Sequence, residues 1–255
     1  MSATISYVAI EGIGEIRPRA DLAAEIARGL ERIGFVPQPG DALVIAQKVV
    51  SKAEGRFVDL RSVTPSARAE ELARITGKDA RFIETVLTET EEVVRAAPNV
   101  LIVRHRLGFV AANAGIDRSN IEAVDGCELA LLLPRDPDAS ASSLREQISA
   151  RFGGPVGVII SDSFGRPWRY GVVNVALGVS GLPAVIDRRG ETDRHGRTLE
   201  MTEVAYADAI AAGAALAMGE GAEGTPVVLV RGLHWTAPHS NGQRLIRAKR
   251  EDLFR

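Results

Sequence analysis

Apolar and polar residues are spaced along the chain in a way that predicts a mixture of helices and strands. Apolar residues recur every three or four positions across 21–33, which predicts an amphipathic helix. Further helices are predicted from Thr64-Pro65, with Thr64 as the N-cap, from Asp79, over 142–152 and over the alanine-rich 203–218. Short β-branched runs predict strands at 5–10, 42–50, 156–160 and 226–230, and paired strands across 100–110.

These elements do not alternate regularly, so we predict an α+β fold with mixed sheets and packed helices. The 255 residues are 45% hydrophobic, which is enough for one large core or two smaller ones. Prolines punctuate residues 131–138. We therefore treat 1–255 as a single unit that a boundary near 131–141 could divide into two subdomains.

The glycine-rich string GEGAEG at 219–224 matches the dinucleotide-binding pattern G-x-G-x-x-G, but its surroundings do not. It follows a predicted helix and precedes a predicted strand, whereas the dinucleotide fingerprint needs the reverse order. The chain also lacks the pattern G-x-x-x-x-G-K-[ST]. We therefore expect neither a Rossmann nor a P-loop fold. The string is either a flexible connection or a loop whose amides approach a phosphate beside Glu220.

Charge and composition exclude several classes of partner. The 31 basic residues nearly balance the 33 acidic ones, so no overall field favours nucleic acid or an anionic membrane. The basic run 244–250 is interpreted as a solvated helix face rather than a nucleic-acid patch. No stretch reaches the ~20 apolar residues of a membrane-spanning helix. The single cysteine, Cys127, and an N-terminus unlike a signal peptide favour the cytoplasm.

The segment VGVIISDSFGRPWRYG, at 156–171, places polar residues directly after a predicted buried strand. Asp162 and Ser163 are oxygen donors of the kind that Mg²⁺ and Mn²⁺ prefer, although Asp162 could equally cap a turn. Arg166 and Arg169 suit anionic oxygens, with structural ion pairing as the alternative. Trp168 either packs at the turn or stacks on a ring.

Five segments together resemble the coenzyme F420-0:L-glutamate ligase (γ-glutamyl ligase) family: GDALVIAQKVVSKAEGR, NAGIDRSN, ISDSFGRPWRYG, LEMTEVAYADAIA and MGEGAEGTPVVLVRG. The resemblance extends from about residue 5 to residue 232. It implies an enzyme that uses GTP to add L-glutamate to a deazaflavin precursor, with GDP and phosphate as by-products. It also implies a two-subdomain α+β fold, an intertwined homodimer and, for this chain, no fused reductase domain.

The resemblance also implies roles for individual residues. Divalent metal, Mg²⁺ or Mn²⁺, is expected on Asp117, Asp162, Ser163 and Glu220, and a monovalent cation such as K⁺ could be a further cofactor. GTP contacts are expected from Ile13, Gly14, Glu15, Ile16, Gln47, Lys52, Asn120, Met218, Gly219, Gly221 and Gly224. Asp162, Arg166 and Arg169 are the catalytic candidates. The chain departs from the family pattern at Gly14, where proline is common, at Gln47, where serine is usual, and at Ser163, which replaces threonine.

The implied reaction activates a carboxylate as an acyl phosphate, which the amine of glutamate then attacks. Two alternatives stay open. The same scaffold could join a different amino acid or a different acceptor, or the chain could bind nucleotide without catalysis. The alanine-rich helix and the apolar stretch 171–186 are candidates for subunit packing, although an internal core explains them equally well.

Overall fold

The computed structural model describes residues 4–121 and 126–252. The helices are α1 (Leu22–Arg32), α2 (Gln47–Ala53), α3 (Ala67–Thr76), α4 (Ala80–Thr88), α5 (Pro137–Phe152) and α6 (Tyr206–Met218). The strands are β1 (Ser6–Ala9), β2 (Ala42–Ala46), β3 (Phe57–Asp59), β4 (Thr90–Ala97), β5 (Val100–His105), β6 (Val110–Ala112), β7 (Leu129–Leu131), β8 (Gly157–Arg166), β9 (Arg169–Ser180), β10 (Val185–Asp187), β11 (Glu203–Ala205) and β12 (Val227–Arg231).

A five-stranded sheet in the order β1-β12-β2-β8-β9 forms the centre of the molecule. Only β2 and β8 run parallel within it; the other neighbours are antiparallel. Helices α1 and α5 pack on one face of this sheet, and α6 packs on the other. The α+β prediction is confirmed, and the mostly antiparallel sheet is not a Rossmann fold.

A second group of elements lies between β2 and β8 in the sequence. It contains the three-stranded sheet β4-β5-β6, the pair β3-β7 and helices α3 and α4. These elements share an apolar cluster of their own, whose buried members run from Leu60 to Leu132. The subdomain boundary expected near 131–141 would follow this cluster and stays a prediction.

Several predicted element boundaries are wrong. Helix α5 begins at Pro137 rather than at residue 142, and residues 203–205 of the predicted alanine-rich helix form β11. The strand predicted over 42–50 ends at Ala46, and α2 begins at Gln47. Val50 is apolar because it packs into the cluster around α1, and not because the strand continues. The helix predicted from Thr64-Pro65 begins only at Ala67, and the Ser66 hydroxyl, rather than that of Thr64, accepts the capping hydrogen bond.

The polar segment after residue 160 is strand rather than loop. β8 continues through Asp162 and Ser163 to Arg166, and then pairs with β9 as a hairpin whose turn holds Trp168 at a φ of 59°. The cross-strand hydrogen bonds of β9 hold these polar residues in extended backbone. Strand β4, whose pairing with β5 contains two register shifts, was not predicted.

The basic run 244–250 is not a regular helix face. It forms short 3₁₀ turns instead, and its side chains make ion pairs, such as Lys249 with Glu92 at 2.7 Å. Within 4–121 and 126–252, no helix is long and apolar enough to cross a membrane.

Candidate active site

A cavity of about 480 Å³ opens where β2 ends beside β8. Ala46, the last residue of β2, is the register partner of Ser161 on β8. No strand among the described residues pairs with this edge of β8 beyond that point, and Asp162 and Ser163 line the cavity there. The volume suits a small-molecule site. The lining comes from residues 13–16, 46–49, 52, 117, 119–120, 161–163, 174 and 218–226.

Asp117 and Asp162 form a carboxylate pair in this cavity. Burial raises the pKa of Asp162 to about 7, and the negative charge of Asp117 adds to the shift. Burial likewise raises the pKa of Asp117, although Lys48 and Gln47 oppose the effect. The two carboxylates are therefore near enough to disfavour each other's ionised forms.

Gln47 and Lys48, at the start of α2, hold this pair in place. The Gln47 side-chain amide donates to Asp117 Oδ2 at 3.0 Å and also lowers the pKa of Asp162 by hydrogen bonding. Ser51 donates to the other end of the same side chain, Gln47 Oε1, at 2.8 Å. The Lys48 ammonium lies 3.4 Å from Asp117 Oδ2. The first two residues of α2 thus direct donors at the carboxylates.

The residues expected to contact GTP surround the same cavity. Lys52, which is buried on α2, forms an ion pair with the half-exposed Glu15 of the early loop. Asn120 donates from its side chain to the Gly221 carbonyl at 3.2 Å, which joins the turn after Asp117 to the glycine-rich loop. All eleven expected nucleotide residues lie among the lining residues of this one cavity.

The glycine-rich loop after α6 is organised around Glu223. Its carboxylate accepts from the Gly221 amide at 2.8 Å and lies against Gly219. A side chain at position 219 would come within 2.3 Å of the Glu223 carboxyl carbon, and the φ of Gly219 is +77°. Glycine is therefore required at this position. The loop already binds one anionic group, which is its own carboxylate.

Arg166 and Arg169 lie on the hairpin and are not lining residues of the cavity. Arg166 donates to the Tyr170 carbonyl at 3.0 Å, and Arg169 is exposed. Four residues of extended strand separate Asp162 from Arg166, roughly 13 Å at about 3.3 Å per residue. Their catalytic role stays a prediction.

Comparison with known proteins decides between families. The F420-0:gamma-glutamyl ligase family profile matches residues 12–232. The chain belongs to this family. Coenzyme F420:L-glutamate ligase of Methanothermobacter thermautotrophicus is 44% identical over 253 residues, which is 98% of this chain and 99% of that protein. The proteins of the same name from Methanocaldococcus jannaschii and Methanopyrus kandleri are each 46% identical, over 218 and 245 residues. They cover 86% and 94% of this chain, and the same shares of their own lengths.

As a member of the gamma-glutamyl ligase family, the chain is an enzyme that forms carbon–nitrogen bonds. Its cavity has the donor chemistry of a magnesium or manganese site. Asp117 and Asp162 repel each other when both are ionised, and a cation between them would relieve that repulsion. The Ser163 hydroxyl is the next oxygen along β8 and lines the same cavity.

The carboxylates are too few to enclose a metal ion unaided. Across the described ranges, no three His, Cys, Asp or Glu side chains gather into a metal-binding group. Glu220 lines the same cavity but is exposed on the glycine-rich loop, away from the aspartate pair. Mg²⁺ commonly takes one or two protein carboxylates and completes its shell with water and phosphate oxygens. The ligase residues fit that mode of binding.

The sequence assigned no role to several polar residues that line the cavity of this ligase, among them Lys48, Ser161 and Asn174. A signal existed for Lys48, because it interrupts the apolar run that begins at Ala42. Asn174 lies opposite Ser163 in a strand that was not predicted, so no pattern linked the two.

Proposed function

We propose that this ligase uses GTP to join L-glutamate to coenzyme F420-0 through an amide bond, with GDP and phosphate released. The coenzyme F420:L-glutamate ligase names of its relatives support the substrates. The observation that carries the proposal is the carboxylate pair Asp117–Asp162, which shares one cavity with Lys48, Lys52 and a glycine-rich loop. That combination suits a metal-bound triphosphate.

The proposed reaction has two steps, phosphorylation of the acceptor carboxylate and formation of the amide bond. An acceptor carboxylate oxygen bonds to the γ-phosphorus of GTP as the bond from that phosphorus to the β–γ bridging oxygen breaks, and GDP leaves. The glutamate ammonium group first loses a proton to give the free amine. The amine nitrogen then bonds to the acyl carbon, the bond from that carbon to the phosphoryl oxygen breaks, and inorganic phosphate leaves as the nitrogen loses a second proton. The first step is needed because a free carboxylate has no adequate leaving group.

The residues of the chain bind and orient the reactants. Lys48 and Lys52 offer positive charge to phosphate oxygens, and backbone amides of the loop 219–224 face the same space. Asp117 and Asp162 would hold Mg²⁺ or Mn²⁺, which when bound offsets phosphate charge, and Ser163 lines the same cavity from the other face of β8. Glu223 must release the Gly221 amide if a phosphate oxygen is to take its place.

The test measures GDP and phosphate release from GTP by the purified protein with Mn²⁺, with L-glutamate and coenzyme F420-0 added singly and together. Release that requires both substrates, with a product heavier by one glutamyl unit in mass spectrometry, supports the proposal. Release with glutamate and a different carboxylate identifies another ligase on the same scaffold. Nucleotide binding without release under any condition identifies a non-catalytic module. ATP in place of GTP tests nucleotide selectivity.

We also propose that the protein is a homodimer. The hairpin of β8 and β9 supports this, because it presents Trp168, Tyr170 and Val172 largely to solvent. By contrast, the alanine-rich face of α6 packs inside the chain against the central sheet. Sedimentation at several protein concentrations tests the dimer, and a monomer at micromolar concentration would contradict it.

A further inference from the structure

The α6 side of β8 carries a group of uncharged polar side chains that is separate from the carboxylate pair. Because successive side chains of a strand point to opposite faces, Ser161 and Ser163 lie on one face and Asp162 lies on the other. Ser163 is the register partner of Asn174 on β9. Ser161 is opposite Ala176, which belongs to the apolar cluster around α6.

Two atoms of this group are buried without hydrogen bonds. Ser161 is 1% exposed and Asn174 is 4% exposed, and both line the cavity. Ser161 Oγ and Asn174 Oδ1 find no hydrogen-bond partner among the described residues. Because buried polar atoms in folded proteins are nearly always satisfied, this pair indicates a place where a ligand supplies the missing bonds.

The sulfur of Met218 fixes which end of Asn174 faces the ligand. Asn174 Nδ2 lies 3.9 Å from Met218 Sδ, at the end of α6. A thioether sulfur carries no hydrogen and can only accept, so the amide group must present its NH₂ to Met218. Oδ1 is then the atom left for the cavity. An oxygen acceptor at this point rejects phosphate and carboxylate oxygens and requires a donor.

We propose that Ser161 and Asn174 form an acceptor subsite for the α-ammonium group of the incoming amino acid. This inference rests on the proposed amide ligation, which needs an amine nucleophile beside the metal and phosphate groups. The ammonium group of an amino acid offers three N–H donors, and Ser161 Oγ and Asn174 Oδ1 can accept two of them. The carboxylate pair on the opposite face of β8 stays available to the metal.

The same donors could come from water molecules bound to a metal ion, so the experiment separates the two sources. The probes are L-glutamate and glutarate, which has both carboxylates but no amino group. Their binding to the protein with GDP, Mn²⁺ and coenzyme F420-0 present is measured by calorimetry. We expect the wild-type protein to bind L-glutamate at least tenfold more tightly than glutarate. Ser161→Ala and Asn174→Leu should each reduce this preference about tenfold.

Mn²⁺ affinity, measured by electron paramagnetic resonance without either acid, is the second readout. Ser180→Ala is the matched control, because its hydroxyl lies on β9 but is satisfied by Arg145 at 2.9 Å. Circular dichroism checks that each variant folds. An Mn²⁺ affinity that falls in Ser161→Ala or Asn174→Leu while the glutamate preference persists would overturn the proposal in favour of metal-bound water. A wild-type protein that binds neither acid, or binds both equally, would overturn it as well.

This outcome is distinguishable from failure of the proposed function. The preference between two acids is an equilibrium binding measurement and needs no turnover. Absence of GDP release from GTP would reject the ligase reaction and leave the binding result unaffected.

Discussion

Gln47 donates a hydrogen bond to Asp117 Oδ2 across 3.0 Å, although the two residues are 70 positions apart in the sequence. An ionised carboxylate can only accept, so the Gln47 NH₂ group faces Asp117, and the Ser51 hydroxyl donates to the amide oxygen at the other end. Gln47 therefore supports the carboxylate pair directly.

Replacing Gln47 should weaken metal binding. Gln47→Ala removes a donor that stabilises the ionised forms of Asp117 and Asp162, so protons compete better with the metal. A hydrogen bond to a charged group contributes about 1.5–3 kcal/mol, so we expect roughly a tenfold loss of Mn²⁺ affinity at pH 7. Calorimetric titration measures it. Gln147→Ala on the exposed side of α5 is the control, and tighter Mn²⁺ binding in Gln47→Ala would contradict the prediction.

Asp162→Asn should abolish the ligase reaction and leave the fold intact. The amide is isosteric but carries no charge, and we expect GDP release in the presence of both substrates to fall by at least ~10²-fold. Asp208→Asn is a matched control, since Asp208 is also an aspartate whose pKa burial raises, but it accepts from the Ala176 amide away from the cavity lining. Near-normal turnover by Asp162→Asn would remove the central claim.

The metal-free protein should lose stability as the pH rises. The folded-state pKa of Asp162 is about 7, above its ordinary value of 3.8, so the unfolded chain ionises first. Its contribution is present below pH 4 and is lost as the pH approaches and passes 7. We expect Tm to fall by about 5 °C between pH 5 and pH 8, and Mn²⁺ to raise Tm more at pH 8 than at pH 5. Asp162→Asn should reduce both the fall of Tm with pH and the pH dependence of the Mn²⁺ effect. If either pH dependence is unchanged in that variant, groups other than Asp162 cause it.

Glu89 should have the opposite effect to Asp162: its contribution to stability should fall as the pH is lowered. Burial would raise the pKa of Glu89, but His105, Arg56 and Arg106 outweigh it and bring the pKa to about 2. The lowered pKa means that its stabilisation is present above pH 4.5 and is lost as the pH falls towards 2. We expect Glu89→Gln to reduce the free energy of unfolding at pH 7 by about 3 kcal/mol, because it removes the charge partner of Arg56, whose side chain is only 11% exposed.

Urea unfolding of Glu89→Gln and wild type at pH 7 and pH 3 tests this. The difference between the two proteins should shrink at the lower pH. Glu146→Gln, on the exposed side of α5, provides the control for loss of one negative charge. An equal difference at both pH values would show that the ionised form of Glu89 is not the source.

The sequence predicted the elements whose apolar residues recur with a clear period. It did not predict the element boundaries and strand pairings that depend on tertiary contacts. Helix α1 was predicted because its apolar spacing is local, whereas the capping role of Asp21 is seen only in the structure. The end of β2 at Ala46 was missed, since Val50 is as apolar as the strand before it and only its packing differs. The proximity of Ser161 and Asn174 depends on the register of the hairpin of β8 and β9. That hairpin was not predicted, because its polar residues resemble those of a loop.

The site residues taken from the family resemblance illustrate the same limit. Asp162 lies in β8, and Asp117 comes shortly after β6. Nothing in their sequence spacing indicates that the two side chains lie close together. The structure brings them into one cavity because β2 stops beside β8 and the turn at Asp117 reaches the opening.

The parallel pairing of β2 with β8 also constrains how the molecule folds. All of β3 to β7 and α2 to α5 lie between these two strands in the sequence. Contacts between such distant segments form late, because the intervening chain must lose its freedom before the contact stabilises anything. Gln47 and Asp162 become neighbours only at that stage. If folding stops before β2 pairs with β8, the residues of the site are present but have not been brought together, so the cavity cannot form.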